Sequence, residues 1–560
     1  MIANINIPSL STLPVELIYR ILNMLDNETI LFSFGNVCKR FRSIIHTYNQ
    51  YKLNFQSVSK PYFHSICSLI HPENIISLTL SNDNQTPNQI KLFLLFFQIQ
   101  QFICLRSLTL IDIDENDFHN IFQFKNILVS LSFTFRYNVL QNSETLPLIS
   151  SIISNNNLRH LDFCLSSSNI DDLVWPNQCL LQSLVLSNYI NFKQFSTILS
   201  YSLQLKKFVL QDCIMPDITD NDSLISYPQL ISLTFDDSEL NMNECQLILS
   251  LTPSLEHFHI VGGTNLNNGL CWEQFIQKKL LKLTKFEFAF CGDTNVIFKD
   301  SIQVESLISS FRTPFWINNK HWFVVCYYFK ESAKYSLYSL PICKSKVRYY
   351  PHKDKISCST YSNFYNDVSM TDNVHEMQLN LTDLMAHHGQ DVENISISYT
   401  CFRKLNKLLL SIDNEWPIGS VEYLSTFIDL SCIVELLIRF DFDSQSVSNK
   451  LTNITHLLEQ TSNLHTLTID SSSASTENIC LLVPNHIKHL QVSVNNSDDI
   501  KLIIEQLKHL SSITFEVLYD IKSLSTEFVT WLMEKTNEST YRNDNMILSI
   551  WFNNNNNQKI

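Results

Sequence analysis

Residues 105–110 read Leu105-Arg106-Ser107-Leu108-Thr109-Leu110, with apolar side chains at the first, fourth and sixth places. The same spacing returns as Leu128-x-x-Leu131-x-Phe133, Leu158-x-x-Leu161-x-Phe163, Leu181-x-x-Leu184-x-Leu186 and Leu205-x-x-Phe208-x-Leu210. Further copies begin at Leu230, Leu255 and Leu283, then at Val374, Leu405, Ile433, Leu464, Ile487 and Leu510, with an earlier one at Ile75. In a chain that is 45% hydrophobic such a triplet fits about 9% of positions by chance, so the triplet alone decides nothing. Its recurrence does: successive first places lie 23 to 31 residues apart, with one gap of 91. Between them run stretches of helical period, such as residues 191–205 (NFKQFSTILSYSLQL) and 499–510 (DIKLIIEQLKHL). A short strand followed by a helix, repeated, predicts a parallel sheet whose first, fourth and sixth places point into a shared core.

The alternate places then face outward, and they are mostly short hydroxyls with mixed charges: Ser107/Thr109, Ser130/Ser132, His160/Asp162, Lys207/Val209, His257/His259, Lys285/Glu287, Lys407/Leu409, Glu435/Leu437 and His489/Gln491. His160, Asp162, Lys207, His257, His259, Lys285 and Glu287 concentrate the polar chemistry in the middle of the array and are the candidate target-binding residues. Such side chains offer hydrogen bonds at small entropic cost, which suits a peptide or protein partner.

Composition narrows the chemistry. Only 7 of 560 residues are glycine, and no arrangement of them gives a dinucleotide fingerprint, a Walker loop or a nucleophile elbow, each of which needs glycine for close backbone approach or a sharp turn. Forty basic and 54 acidic residues leave a formal charge of −14, so there is no global electrostatic footprint for nucleic acid, and a basic or neutral partner is favoured. Fifteen cysteines are scattered without a C-x-x-C, as buried small residues in a reducing compartment would be. The histidine pairs His257/His259, His387/His388 and His486/His489 lack companion ligands, so no metal and no cofactor are expected. No catalytic motif is present, and the expectation is a non-enzyme. The first residues lack a basic n-region and a long apolar core, and Leu92–Phe97 is far shorter than the roughly 18 residues of a membrane span. A cytosolic or nuclear chain without membrane association is expected.

The segment from Ser11 reads STLPVELIYRILNMLDNETILFSFGNVCKRFRSII. Ser11 or Thr12 is placed to cap a helix, Pro14 suits its first turn, and Leu17, Ile21, Leu22 and Leu25 repeat at helical spacing. Asp26-Asn27 breaks the pattern before a second apolar helix and a third, basic one. The ordered series Leu13-Pro14-x-Glu16-Leu17, Ile21-Leu22-x-x-Leu25 and Val37-Cys38-Lys39-Arg40-Phe41 resembles the F-box, with Phe41 where that family often carries Trp. The resemblance implies that Leu13, Pro14, Leu17, Ile21, Leu22, Leu25, Val37 and Cys38 include contacts to the small adaptor subunit of an SCF-type ubiquitin ligase.

The strand and helix period, in turn, resembles degenerate leucine-rich repeats, in which the Asn or Cys expected after the strand survives at Cys213, Cys291 and Asn495. The gap of 91 holds His321–Phe329 and Tyr335–Leu340, which read as a β-hairpin whose aromatics either pack on the repeats, the favoured reading, or form a binding surface. Lys344, Lys346, Arg348, Tyr349 and Tyr350 form a small basic and aromatic patch beyond it. The expected fold class is α/β: a short all-helical F-box followed by a leucine-rich-repeat-like solenoid with an inserted hairpin. Its divisions are a flexible arm at 1–9, the F-box at 10–50, a helical linker at 51–73, repeats at 74–290, the insertion at 291–372, repeats and a terminal cap at 373–552, and an Asn-rich tail at 553–560. The functional expectation is a substrate receptor with an unknown protein target; the alternative is a repeat scaffold that promotes no degradation.

Overall fold

The computed structural model describes residues 10–27, 29–122, 127–136, 144–165, 167–214, 225–262, 266–293, 301–330, 333–349, 355–362, 367–388, 402–413, 416–440, 447–470, 476–517, 526–536, 539–544 and 546–553. The expected tail lies almost wholly outside these residues, as does the arm at 1–9. It is a mixed α/β structure, with a helical N-terminal module followed by strand and helix units.

Each copy of the apolar triplet places a strand. The strands β1 (Tyr51–Asn54), β2 (Ile75–Ser81), β3 (Ser107–Ile113), β4 (Ser130–Phe135), β5 (His160–Cys164), β6 (Ser183–Asn191), β7 (Lys207–Ile214), β8 (Ser232–Ser238), β9 (His257–Gly262) and β10 (Lys285–Asp293) pair in chain order, each parallel to the next. The register keeps like places together, so that Leu108, Leu131, Leu161, Leu184, Phe208, Leu233, Phe258 and Phe286 form one row across the sheet. A slip of one residue would turn every one of them to the opposite face. Each such side chain is worth about 1.5 to 3 kcal/mol when buried, so the row enforces its own alignment. Phe133 stacks on Phe163 at 5.6 Å and Phe258 on Phe286 at 5.5 Å within this core.

Helices cover the inner face. Phe192–Tyr201 and Met242–Ser250 each start from a capping box, in which Asn191 with Gln194, and Asn241 with Glu244, satisfy the backbone N–H groups of the first turn. Asn268 and Asn496 cap two more helices. Asparagine thus supplies the start of these four helices.

The gap of 91 contains four strands, not the two expected. Strands β11 (Val324–Phe329) and β12 (Lys334–Ser339) form the hairpin, and β12 pairs antiparallel with β10, so the hairpin extends the first sheet. Strand β13 (Lys346–Tyr349) founds a second sheet, whereas β14 (Lys355–Ser359) returns to pair with β11. The chain therefore crosses between the sheets three times before β15 (Glu376–Asn380). Trp316 and Phe311 are wholly buried against Phe288, and Trp322 packs on Phe286, so these aromatics are core. In the patch that follows, Lys346 pairs with Glu376 at 2.7 Å and Tyr349 stacks on Phe427.

The second sheet continues in parallel through β16 (Lys407–Ile412), β17 (Glu435–Phe440), β18 (Thr466–Asp470), β19 (His489–Val494) and β20 (Ser512–Val517). It ends in an antiparallel hairpin of β21 (Thr540–Asp544) and β22 (Ile547–Trp551), with β22 against β20. The terminal cap expected from the sequence is thus a two-stranded hairpin.

The stretch expected as a helical linker opens with β1, and helix Lys60–Leu69 follows. Tyr51 and Leu53 of β1 are buried, and one continuous core runs from Ile18 in the helical module into the first sheet. The module is fused to the array through packed side chains and a shared strand.

Candidate interaction surfaces

The helical module begins with helix Val15–Leu22, whose first turn closes on the Pro14 carbonyl, accepting from Leu17 N at 3.1 Å and Ile18 N at 3.2 Å. Pro14 is the capping residue; Leu10–Thr12 forms a separate 3-10 turn, which corrects the expected Ser11 or Thr12 cap. Asp26 then takes the Thr29 N–H at 2.7 Å and its hydroxyl at 2.8 Å, opening a π-helical turn at Thr29–Phe34. Helix Lys39–Thr47 completes the module: Phe41 stacks on Phe34 at 4.3 Å, and the Arg40 guanidinium donates to the Leu13 carbonyl at 2.6 Å.

Ile18 and Leu22 turn inward, and Leu22 is 0% exposed. Leu22 is therefore a core residue, not an available contact, because Ile18 and Leu22 lie one turn apart on the face that meets the later helices. Leu13, Ile21, Leu25 and Cys38 are half-buried, and Pro14 is exposed. Leu17 at 42%, Val37 at 65% and Met24 at 86% leave large apolar side chains in solvent. Met24 was not singled out from the sequence, although it falls seven residues after Leu17. Three large exposed apolar groups on so small a module mark a surface that is incomplete without a partner.

Residues 10–53 match the F-box domain. F-box domains bind the small adaptor of SCF-type ubiquitin ligases, and chains that carry one serve generally as substrate receptors of those ligases. No curated protein matches the chain. No helix among the described residues is long and apolar enough to cross a membrane.

Beyond the F-box, the register carries four of the seven candidate target residues to one place on β9 and β10. His257 pairs with Lys285 across the strands, and His259 with Glu287. Glu287 is the hub: its carboxylate meets His257 Nε2 at 2.6 Å, Lys285 Nζ at 2.8 Å and His259 Nδ1 at 3.9 Å. Burial pushes the Glu287 carboxyl up, but the bonds from His257, His259 and Lys285 outweigh it and hold its pKa far below the usual carboxylate range. Asp236 stands 3.9 Å from His259 Nε2. Burial, and after it the Glu287 charge, pushes the nearby Cys343 thiol up to about 12. The cluster is thus largely satisfied within itself. Among the described residues no group of three or more His, Cys, Asp or Glu is arranged to hold a metal ion.

The other three lie apart from that hub. Asp162 accepts from the Ser132 hydroxyl at 3.0 Å, and burial raises its pKa. His160 and Lys207 are exposed.

On the second sheet the outward places are less open than the alternation implied. His489 Nε2 meets the Ser57 carbonyl at 3.2 Å, Thr514 Oγ1 donates to the Asn84 carbonyl at 3.3 Å, and Gln85 Nε2 reaches Thr466 Oγ1 at 3.4 Å. Loops after β1 and β2 therefore cover this part of the face with the chain's own N-terminal half. Nothing in the local sequence at residues 466–517 signals a cover that comes from some 400 residues away.

Proposed function

We propose that this chain is a non-catalytic substrate receptor whose strand and helix units form a leucine-rich-repeat-like solenoid, with the outward face of the first sheet holding a protein target. The observation that carries the reading is the direct fusion of the F-box to that sheet: β1 and the continuous core join the module that bears exposed Leu17, Met24 and Val37 to the sheet that bears His160 and Lys207. A rigid joint holds a target at a set place relative to the adaptor, and catalysis by a ubiquitin-charged partner is then a matter of proximity. The receptor works without cofactor, in the cytosol or nucleus. Leu17, Val37, Met24 and Pro14 are the adaptor contacts, and Leu13, Ile21, Leu25 and Cys38 support them.

The test is co-purification with the adaptor. Leu17→Asp with Val37→Asp places charge on exposed positions, so folding is preserved while adaptor binding is lost. Retention of adaptor by the double variant, or a wild-type chain that forms no stoichiometric complex, would leave a scaffold in place of a receptor.

A further inference from the structure

Several surface cations of the two sheets are paired with carboxylates. On the second sheet three outward cations are neutralised across strands: Lys346 with Glu376 at 2.7 Å, Lys407 with Glu435 at 3.1 Å and Arg439 with Asp470 at 2.7 Å. On the first sheet, Lys285 is neutralised by Glu287 on its own strand. Along β3 to β7 the arrangement changes. Arg106 precedes β3, Arg159 and His160 open β5, and Lys206 and Lys207 open β7. Among the described residues, Arg106, His160, Lys206 and Lys207 have no carboxylate partner, and the Arg159 guanidinium reaches only the carbonyls of Asn156 at 2.7 Å and Leu158 at 3.0 Å.

These groups form a row because the backbone fastens them together. Val129 bonds to the Arg106 carbonyl, Arg159 to that of Val129, Gln182 to that of Arg159, and Lys206 to that of Gln182, all at 2.8 to 2.9 Å. Cations therefore recur on every second strand, two steps of roughly 4.8 Å or about 9.6 Å apart, and span about 19 Å from β3 to β7. Glu256, before β9, is the first carboxylate in that row. In a chain of charge −14, counted with histidines neutral, three cations in line, Arg106, Arg159 and Lys206, with Lys207 beside them, are a local reversal of sign. The opposite ends of β2 to β4 carry the chain's C-terminal hairpin, where Arg542 meets Asp112 at 3.2 Å and Arg136 pairs with Asp544. The row is on the end of the strands that this hairpin does not reach.

We infer that the row at the start of β3, β5 and β7 docks an acidic peptide segment of the target, laid in extended form across the strands. An extended polyproline II-type chain advances roughly 3.1 Å per residue with three residues per turn, so a carboxylate at every third position lies on one side at about 9.3 Å, close to the 9.6 Å interval. The hydroxyls of Ser130 and Ser183, on the strands between the cations, are placed to bond the backbone or the neutral residues between. The inference rests on the proposal that the first sheet holds the target, and it assigns that target's chemistry. It also qualifies the preference for a basic partner drawn from net charge, since an averaged charge hides a local row.

The experiment uses the full chain with its adaptor and a fluorescent twelve-residue Ser/Gly peptide carrying Asp at every third position, alongside the same peptide with Asn and an oligothymidine of similar length. The Asp peptide is expected to bind, to weaken as salt shortens the Debye length below about 10 Å, and to lose at least roughly tenfold in affinity with Lys206→Glu/Lys207→Glu. Lys206→Gln/Lys207→Gln should lose less, and Lys278→Glu/Lys279→Glu, on a helix away from the row, should bind as wild type does. Equal binding of the Asn peptide, equal loss in the Lys278/Lys279 control, or tighter binding of the oligonucleotide overturns the inference. If crosslinked cellular partners still map to β3–β7 while the Asp peptide fails, the receptor reading stands and the acidic-segment inference falls. If the adaptor does not co-purify, the receptor reading falls whatever the peptide does.

Discussion

Burial and hydrogen bonding pull Glu287 in opposite directions, and the hydrogen bonds win. Its carboxyl is held well below the reference value of 4.5, so the charged form belongs to the folded state. The stability this contributes is fully present above about pH 4.5 and is lost as the pH falls from there toward the folded pKa. Glu287→Gln keeps the shape and removes the charge, and is expected to cost about 2 kcal/mol at pH 7 in urea denaturation. That difference should narrow below pH 4.5, when the wild-type carboxyl is also protonated in the unfolded chain; an unchanged gap at pH 3 would mean that the cluster is not the source. Sequence alternation places His257, His259, Lys285 and Glu287 outward, but it does not tell that they neutralise one another, since that depends on parallel register. The same register leaves Lys207 and His160 without such a partner.

The element scale is where periodicity carries most information. The fifteen copies of the triplet correspond to fifteen strands because a parallel strand buried on one face needs three apolar residues in a fixed phase, and asparagine caps four of the intervening helices. Exceptions fall where backbones crowd. Gly262 ends β9 at a φ of +123°, opposite a register shift between Phe235 and Ser238 of β8, and a Cβ there would lie 2.2 Å from the Ser238 carbonyl oxygen. No rotation of a side chain relieves that clash, because the obstacle is backbone. Gly262→Ala should therefore cost at least about 2 kcal/mol by thermal or urea unfolding, and a cost within the scatter of ordinary surface changes would refute the close approach. With so few glycines in the chain, this one is retained for contact between neighbouring strands.

For the whole molecule, the decisive feature is that the two ends of the array meet. Arg542, buried, donates to the Asn84 side chain at 2.7 Å and to the Asn82 carbonyl, and pairs with Asp112 and with Asp544, the latter at 2.9 Å. Trp551 Nε1 donates to the Val58 carbonyl at 2.9 Å, and its ring packs edge-on against Phe63. Ser57, Asn88 and Asp112, non-glycine residues with φ near +60°, all lie along this seam, where tertiary contacts hold a conformation that local preference disfavours. His489 sits in the same seam, 6% exposed, between Ser512 Oγ at 2.7 Å and the Ser57 carbonyl.

Burial pushes the His489 pKa down to about 4; Asp83 and the Ser57 carbonyl raise it and His465 and Lys488 lower it by smaller amounts. The fold thus prefers the neutral ring. Its stabilising share is full above about pH 6.5 and is lost as the pH falls toward 4, by about 3 kcal/mol in all. His489→Asn should flatten stability against pH across that window, and an identical profile for wild type and variant would place the titration elsewhere.

The sequence by itself determined the repeat units: where each strand that carries the apolar triplet lies, which residues of it line the core, and that residues 10–53 form an F-box. These follow from local periodicity and from an ordered motif, both written in neighbouring residues. Tertiary structure alone decided how the units close: the three crossings between sheets, the N-terminal loops laid over the second sheet, the self-neutralised cluster at Glu287 and the unneutralised row at Arg106, Arg159, His160, Lys206 and Lys207. Those are pairings between residues tens to hundreds of positions apart. Apolar phase marks which side of a strand is buried, but which charges meet, and which are left for a partner, depends on register and on the meeting of distant segments.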